Sequence, residues 1–156
     1  MTTVFLDYRY DERWLKRAPT VDVFKLSRVD LSTWVMTGDQ IFLIDGRDFS
    51  YVGYGIPLLE FARSLVLSII DLERGAESAS SNPLDVEDRI NFVRDAGVVT
   101  VSAELSGESA KVPLTDLGIV VRAYARRLLL DFIASHPKAE QTRELWEWYP
   151  VREVGV

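Results

Sequence analysis

Val98-Val99-Thr100-Val101-Ser102-Ala103-Glu104-Leu105, the turn Ser106-Gly107, Glu108 to Pro113, and then Leu114-Thr115-Asp116-Leu117 form the stretch whose reading decides the fold. Val99, Val101, Ala103 and Leu105 alternate with Val98, Thr100, Ser102 and Glu104. That period of two belongs to a strand with one face on the core and one toward water, the habit of antiparallel sheets. Ser106-Gly107 returns the chain into Glu108–Pro113, with Ala110 and Val112 on the buried side. Beyond Pro113 the period changes to 3.6. Leu117, Val120, Val121, Tyr124, Ala125, Leu128, Leu129 and Phe132 cover a wide helical arc. Thr115 or Asp116 is the expected cap, and His136-Pro137 ends the helix because a residue before proline avoids α geometry. Upstream, Asp88–Arg94 reads as a further strand, joined through Asp95-Ala96-Gly97 and burying Ile90 and Phe92.

The first half reads on the same plan. Val4–Tyr10 is an expected strand, and Asp11 caps a short helix that Pro19 stops. Thr20–Leu26 reads as extended. Leu31–Thr37 and Gln40–Ile44 flank Gly38-Asp39, which reads as a two-residue hairpin turn, and Asp45-Gly46 turns the chain again into Arg47–Tyr51. Pro57 opens a long helix that Gly75 closes; Leu58, Phe61, Ala62, Leu65, Ile69 and Leu72 share its apolar face. Residues 76–85 read as a small-residue loop. A helix from Pro137 to about Trp146 and an aromatic tail complete the chain. The expectation is one α+β domain over 1–156: an antiparallel sheet of about five to seven strands, in two meander-plus-helix units (20–75 and 86–136), with two long helices on one face and the other face open.

Composition narrows the chemistry. The 156 residues include one His and no Cys, so thiol nucleophiles, disulfides and multi-His metal cages are excluded. The formal charge is −6, with nine basic and twelve acidic groups in each half. Such a field repels phosphate backbones, which argues against nucleic acid, and favours a cationic partner. No signal peptide is evident at the start, and the apolar runs around Leu65–Ile70 fall short of the ~20 residues needed to span a bilayer. The chain reads as cytoplasmic, with no membrane partner.

The candidate chemical groups each have a structural explanation. His136 sits at a helix end, where it serves the last carbonyls. Gly53-Tyr54-Gly55-Ile56-Pro57 lacks the full spacing of a phosphate loop, and Asp45-Gly46-Arg47-Asp48 and Asp85-Val86-Glu87-Asp88 lack the distal Glu of a calcium loop. Glu60 with Arg63, and Asp71 with Arg74, form a salt-bridge pattern, and Arg127 is expected to pair with Asp131. No catalytic residue, metal site or cofactor is nominated. Trp14, Trp34, Trp146, Trp148 and Tyr149 are large aromatics that either fill a core or anchor an interface. Beside Glu144 and Glu147, the tail reads as a clamp for a basic partner, or else as a cover for the sheet edge.

In its size, its acidity, the Ile44-Asp45-Gly46 hairpin leading to Pro57-Leu58-Leu59-Glu60-Phe61-Ala62, and a second hairpin and helix ending at His136-Pro137 and Trp148-Tyr149-Pro150, the chain resembles the immunity proteins encoded beside bacterial toxins. The resemblance carries no catalytic signature. It implies a non-enzymatic module whose partner is a protein, often a basic nuclease blocked by acidic side chains. The contact groups it implies are Asp85, Glu87, Asp88, Glu104 and Glu108, with Trp146, Trp148 and Tyr149. Two other readings stay open: a small-molecule binder or enzyme with a pocket between sheet and helices, and a homo-oligomeric subunit, for which the wide helix faces leave room for a homodimer.

Overall fold

The computed structural model describes residues 2–83 and 86–156. Strand β1 (Val4–Tyr10) leads into α1 (Glu12–Arg17), whose cap Asp11 accepts from the Trp14 amide. Two 3₁₀ turns and α2 (Arg28–Thr33) follow before β2 (Thr37–Ile44), β3 (Arg47–Asp48), β4 (Tyr51–Pro57) and α3 (Leu58–Glu73). The second half comprises β5 (Ser78–Ser81), β6 (Ile90–Asp95), β7 (Val98–Ala103), β8 (Ser109–Pro113), α4 (Leu114–Ser135), a 3₁₀ turn and α5 (Arg143–Trp148).

The fold is α+β with antiparallel sheets, but the strands form two sheets of four, where the sequence reading expected one sheet. In the first, β1 lies along one edge of β2 and both β3 and β4 lie along the other. In the second the order is β5-β6-β7-β8, a simple meander. Each sheet ends by feeding a helix through a Pro-Leu step, Pro57-Leu58 and Pro113-Leu114, so α4 begins just before the expected Thr115 or Asp116 cap. The two helices pack on each other; α3 also meets β5 of the second sheet and α4 meets β1 of the first. That crossing explains why their apolar arcs are wide: sheet and partner helix together occupy them. Phe42, Ile44, Leu65, Ile69, Phe92, Val101, Val121 and Leu128 are all fully buried in the resulting core.

Three segments differ from the sequence reading for identifiable reasons. Thr20–Leu26, expected as extended, forms 3₁₀ turns, the second capped by Asp22, whose carboxylate accepts from the Phe24 amide at 3.1 Å. Of Leu31–Thr37, expected as a strand, Leu31–Thr33 instead close helix α2, which the reciprocal capping box of Ser27 and Asp30 nucleates, 34–36 form a turn, and Thr37 alone opens β2. Gly38-Asp39 is no turn. Gly38 lies inside β2 opposite Tyr10, and a Cβ there would sit 1.9 Å from the Arg9 carbonyl oxygen, so glycine permits close backbone approach. The tight turn is Asp45-Gly46, both at positive φ (50° and 78°), the pair of conformations that joins β2 to β3 in two residues. Within the expected loop 76–85, Ser78–Ser81 pairs with β6, and the Ser81 hydroxyl meets that of Ser68 on α3 at 2.9 Å.

Candidate functional site

β2 cannot pair continuously with its returning strand. After Asp48 the chain breaks at Phe49-Ser50, and the break is held by the Phe49 amide donating to the Phe42 carbonyl (2.8 Å) and the Ser50 hydroxyl accepting from the Phe42 amide (2.9 Å). The Asp48 carboxylate accepts from the Ser50 amide at 2.8 Å, which fixes it at the rim. On the second sheet, the entry to β6 and the β7–β8 turn are tied together by Asp88. Its carboxylate accepts from the amides of Arg89 (2.7 Å) and Leu105 (3.1 Å), while the Glu104 amide donates to the Arg89 carbonyl at 3.0 Å.

These two edges face each other across a cleft of about 450 Å³, within the size range of ordinary binding pockets. Asp48, Tyr51 and Tyr54 line it from the first sheet, and Asp88, Leu105 and Glu108 from the second. Three carboxylates therefore share one concavity, and the one ion pair they make within 4 Å among the described residues is that of Glu108 with the well-exposed Arg47, at 4.0 Å. Tyr51 is 3% exposed, and its buried hydroxyl lies near the Asp88 carboxylate without a hydrogen bond of normal geometry. Burial first, and then the nearby Asp88 charge, hold that hydroxyl protonated to well above its ordinary range, so it remains a donor at every physiological pH. Tyr54 and Leu105, 59% and 70% exposed, stand at the mouth as apolar contact groups. The arrangement can accept a cationic side chain among the carboxylates that line the cleft and cover its stem with aromatic and aliphatic surface.

The residues expected at a partner surface are divided by the fold. Asp88, Glu104 and Glu108 gather at one end of the second sheet with Glu87 exposed beside them, and Glu104 pairs with Arg89 at 3.8 Å. Asp85 lies outside the described residues. The tail goes elsewhere, and the expectation of an aromatic clamp is corrected for two of its three rings. Tyr149 is 2% exposed and donates to the Ala125 carbonyl of α4 at 2.8 Å. Trp148 is buried under Arg63 of α3, whose guanidinium carbon lies 5.2 Å from the ring centre and whose Nε donates to the Trp148 carbonyl. Rings of this size bury more apolar surface than any other side chains, and the α3–α4 groove accepts them. Trp146 is half-buried and donates to the Glu140 carbonyl at 2.7 Å.

Other singled-out groups have structural partners. His136 joins Ser135 and the Ala18 carbonyl through its two ring nitrogens and stacks on Phe132. Glu60 pairs with Arg63 at 3.6 Å. Arg127 reaches Asp7 of β1 at 2.6 Å rather than Asp131, and Arg122 grips Glu73 of α3 with two bonds of 2.7 and 2.8 Å. Among the described residues no three acidic or His side chains are placed to hold a metal, and no helix is long and apolar enough to cross a membrane.

Sequence reading missed Asp48, Tyr51 and Tyr54 as site residues. The usable traces were Asp48 in the Asp45-Gly46-Arg47-Asp48 loop and a tyrosine set between two glycines, Gly53-Tyr54-Gly55. Their convergence with Asp88 and Glu108 is a product of the two-sheet arrangement. Compared with models of protein families, with curated proteins and with solved structures, the chain matches none.

Proposed function

We propose that this chain is a non-enzymatic protein-binding module that occludes a basic partner by seating one of its Lys or Arg side chains in the cleft between the two sheets. The observation that carries the reading is the placing of three carboxylates, Asp48, Asp88 and Glu108, around one concavity walled by Tyr51 and Tyr54. Tyr54 and Leu105 suit the apolar rim of such a contact, and the −6 net charge accelerates encounter with a cationic surface. The resemblance to immunity proteins points to the same partner class, with a toxin as the occluded protein. Trp148 and Tyr149 have no part in this contact.

A photoreactive phenylalanine analogue at position 54 captures the partner in the native host, and the captured protein is then purified for stopped-flow association. Asp48→Asn with Glu108→Gln should slow association roughly tenfold and flatten its salt dependence. Asp71→Asn with Asp116→Asn, two exposed acids on the helices, should leave it nearly unchanged. An acidic captured partner, or equal effects of the two pairs, overturns the reading.

A further inference from the structure

On the far side of Tyr54 the surface has the opposite character. Arg13 and Arg17, one turn apart on α1, both face a cavity of about 230 Å³ closed by Thr33, Trp34, Tyr54 and Gly55. Neither arginine makes an ion pair within 4 Å among the described residues, although the protein is acidic overall. The adjacent carboxylates bond neutral donors, Asp11 through Oδ1 alone, with its Oδ2 lying, like Arg13 Nη2, against Gly55. Asp11 accepts from the Trp14 amide and the Thr37 hydroxyl (2.8 and 2.9 Å), and Asp30 from the Ser27 amide and the Trp34 indole (2.9 and 3.0 Å). Two like charges four residues apart destabilise a helix when nothing lies between them.

Both guanidiniums are positioned. Arg17 stacks over the Trp34 ring, 5.5 Å from its centre. Arg13 lies against Gly55, its Nη2 2.7 Å from where a Cβ would stand, and the positive φ of 63° at that position favours glycine and so keeps the space open. Planar guanidiniums bind carboxylate and phosphate oxygens in pairs, and an indole already carrying one guanidinium offers a flat wall to a ligand body. The volume corresponds to roughly eight waters at about 30 Å³ each, which admits a small molecule and no peptide.

We infer that this cavity binds a small organic oxyanion, its carboxylate or phosphate held between Arg13 and Arg17 and its body laid along Trp34. The site is independent of the acidic cleft, with which it shares only the Tyr54 wall.

Benzoate and inorganic phosphate serve as probes. Binding is followed by the Trp34 indole N–H resonance, assigned with Trp34→Phe, and by titration calorimetry, with sodium chloride at matched ionic strength as control. Benzoate, phosphate or both should give saturable shifts in the millimolar range. Saturation by benzoate alone assigns a carboxylate ligand, and by phosphate alone a phosphoryl ligand. Arg13→Gln and Arg17→Gln should each weaken calorimetric binding at least tenfold with unchanged circular dichroism. No saturable response to either probe, an equal response to chloride, or binding retained in both variants overturns the inference.

Discussion

Removing Tyr149 in two steps tests whether the C-terminal aromatics belong to the core. Tyr149→Phe deletes only the hydroxyl that donates to Ala125 at 2.8 Å in a fully buried setting. A buried neutral hydrogen bond contributes about 1 kcal/mol net. Tyr149→Ala also deletes a ring that is 2% exposed and contacts Trp148 with centroids 5.9 Å apart. Large-to-small aromatic truncations of this kind cost about 3–5 kcal/mol, a large share of the roughly 5–15 kcal/mol that holds a domain folded. In a chain of this length 1 kcal/mol moves Tm by about 2–4 °C, so the Phe variant should melt a few degrees lower and the Ala variant about 10 °C lower. Urea unfolding followed by far-UV circular dichroism measures both. A Tyr149→Ala loss below about 0.5 kcal/mol, the range of surface substitutions, would refute the placement of the tail in the α3–α4 groove.

Three further outcomes follow from named contacts. Burial raises the folded-state pKa of Glu60 above its ordinary value, so its contribution favours folding at low pH and is lost as pH rises from the ordinary carboxylate range through the raised value; Glu60→Gln should remove that decline in urea-derived stability. Glu73 has the opposite sign: hydrogen bonding to Arg122 lowers its pKa, so Glu73→Gln should cost about 0.5–1 kcal/mol near neutrality, with the difference from the parent vanishing as pH falls through the lowered value. Gly38→Ala drives a methyl into the Arg9 carbonyl and should cost roughly 3 kcal/mol or more by separating β1 from β2, seen as loss of cooperative melting.

The second half was legible because its signals are local. Residues 98–113 alternate cleanly, Pro113 separates one period from the next, and Leu117 to Phe132 keep the new period for four turns. Residues 27–44 were harder. Leu31-Ser32-Thr33-Trp34-Val35 is rich in β-formers, yet the Ser27–Asp30 box overrides that propensity, and of two turn-like dipeptides only Asp45-Gly46 has the backbone for a turn. Whether two meanders join edge to edge or form separate sheets is a long-range matter that the spacing of Val and Ile leaves undetermined.

The site shows the same division. Acids on the Asp88–Glu108 corner were visible as charge, and the turn residues between Ala103 and Glu108 bring them together locally. Trp148 and Tyr149 were ambiguous because cores and interfaces favour the same side chains. The first-sheet wall of the cleft, Asp48 with Tyr51 and Tyr54, meets Asp88 only through tertiary packing, so neither segment alone announces it.

The most direct test of the acidic cleft is a titration with hexa-arginine amide, followed residue by residue in heteronuclear NMR at low salt. Binding at the cleft predicts saturating shifts centred on Ser50, Tyr51, Tyr54 and Leu105, reduced at least tenfold in affinity by Asp48→Asn with Glu108→Gln. Shifts spread evenly over the acidic surface, or centred on the tail near Glu144 and Glu147, would contradict it.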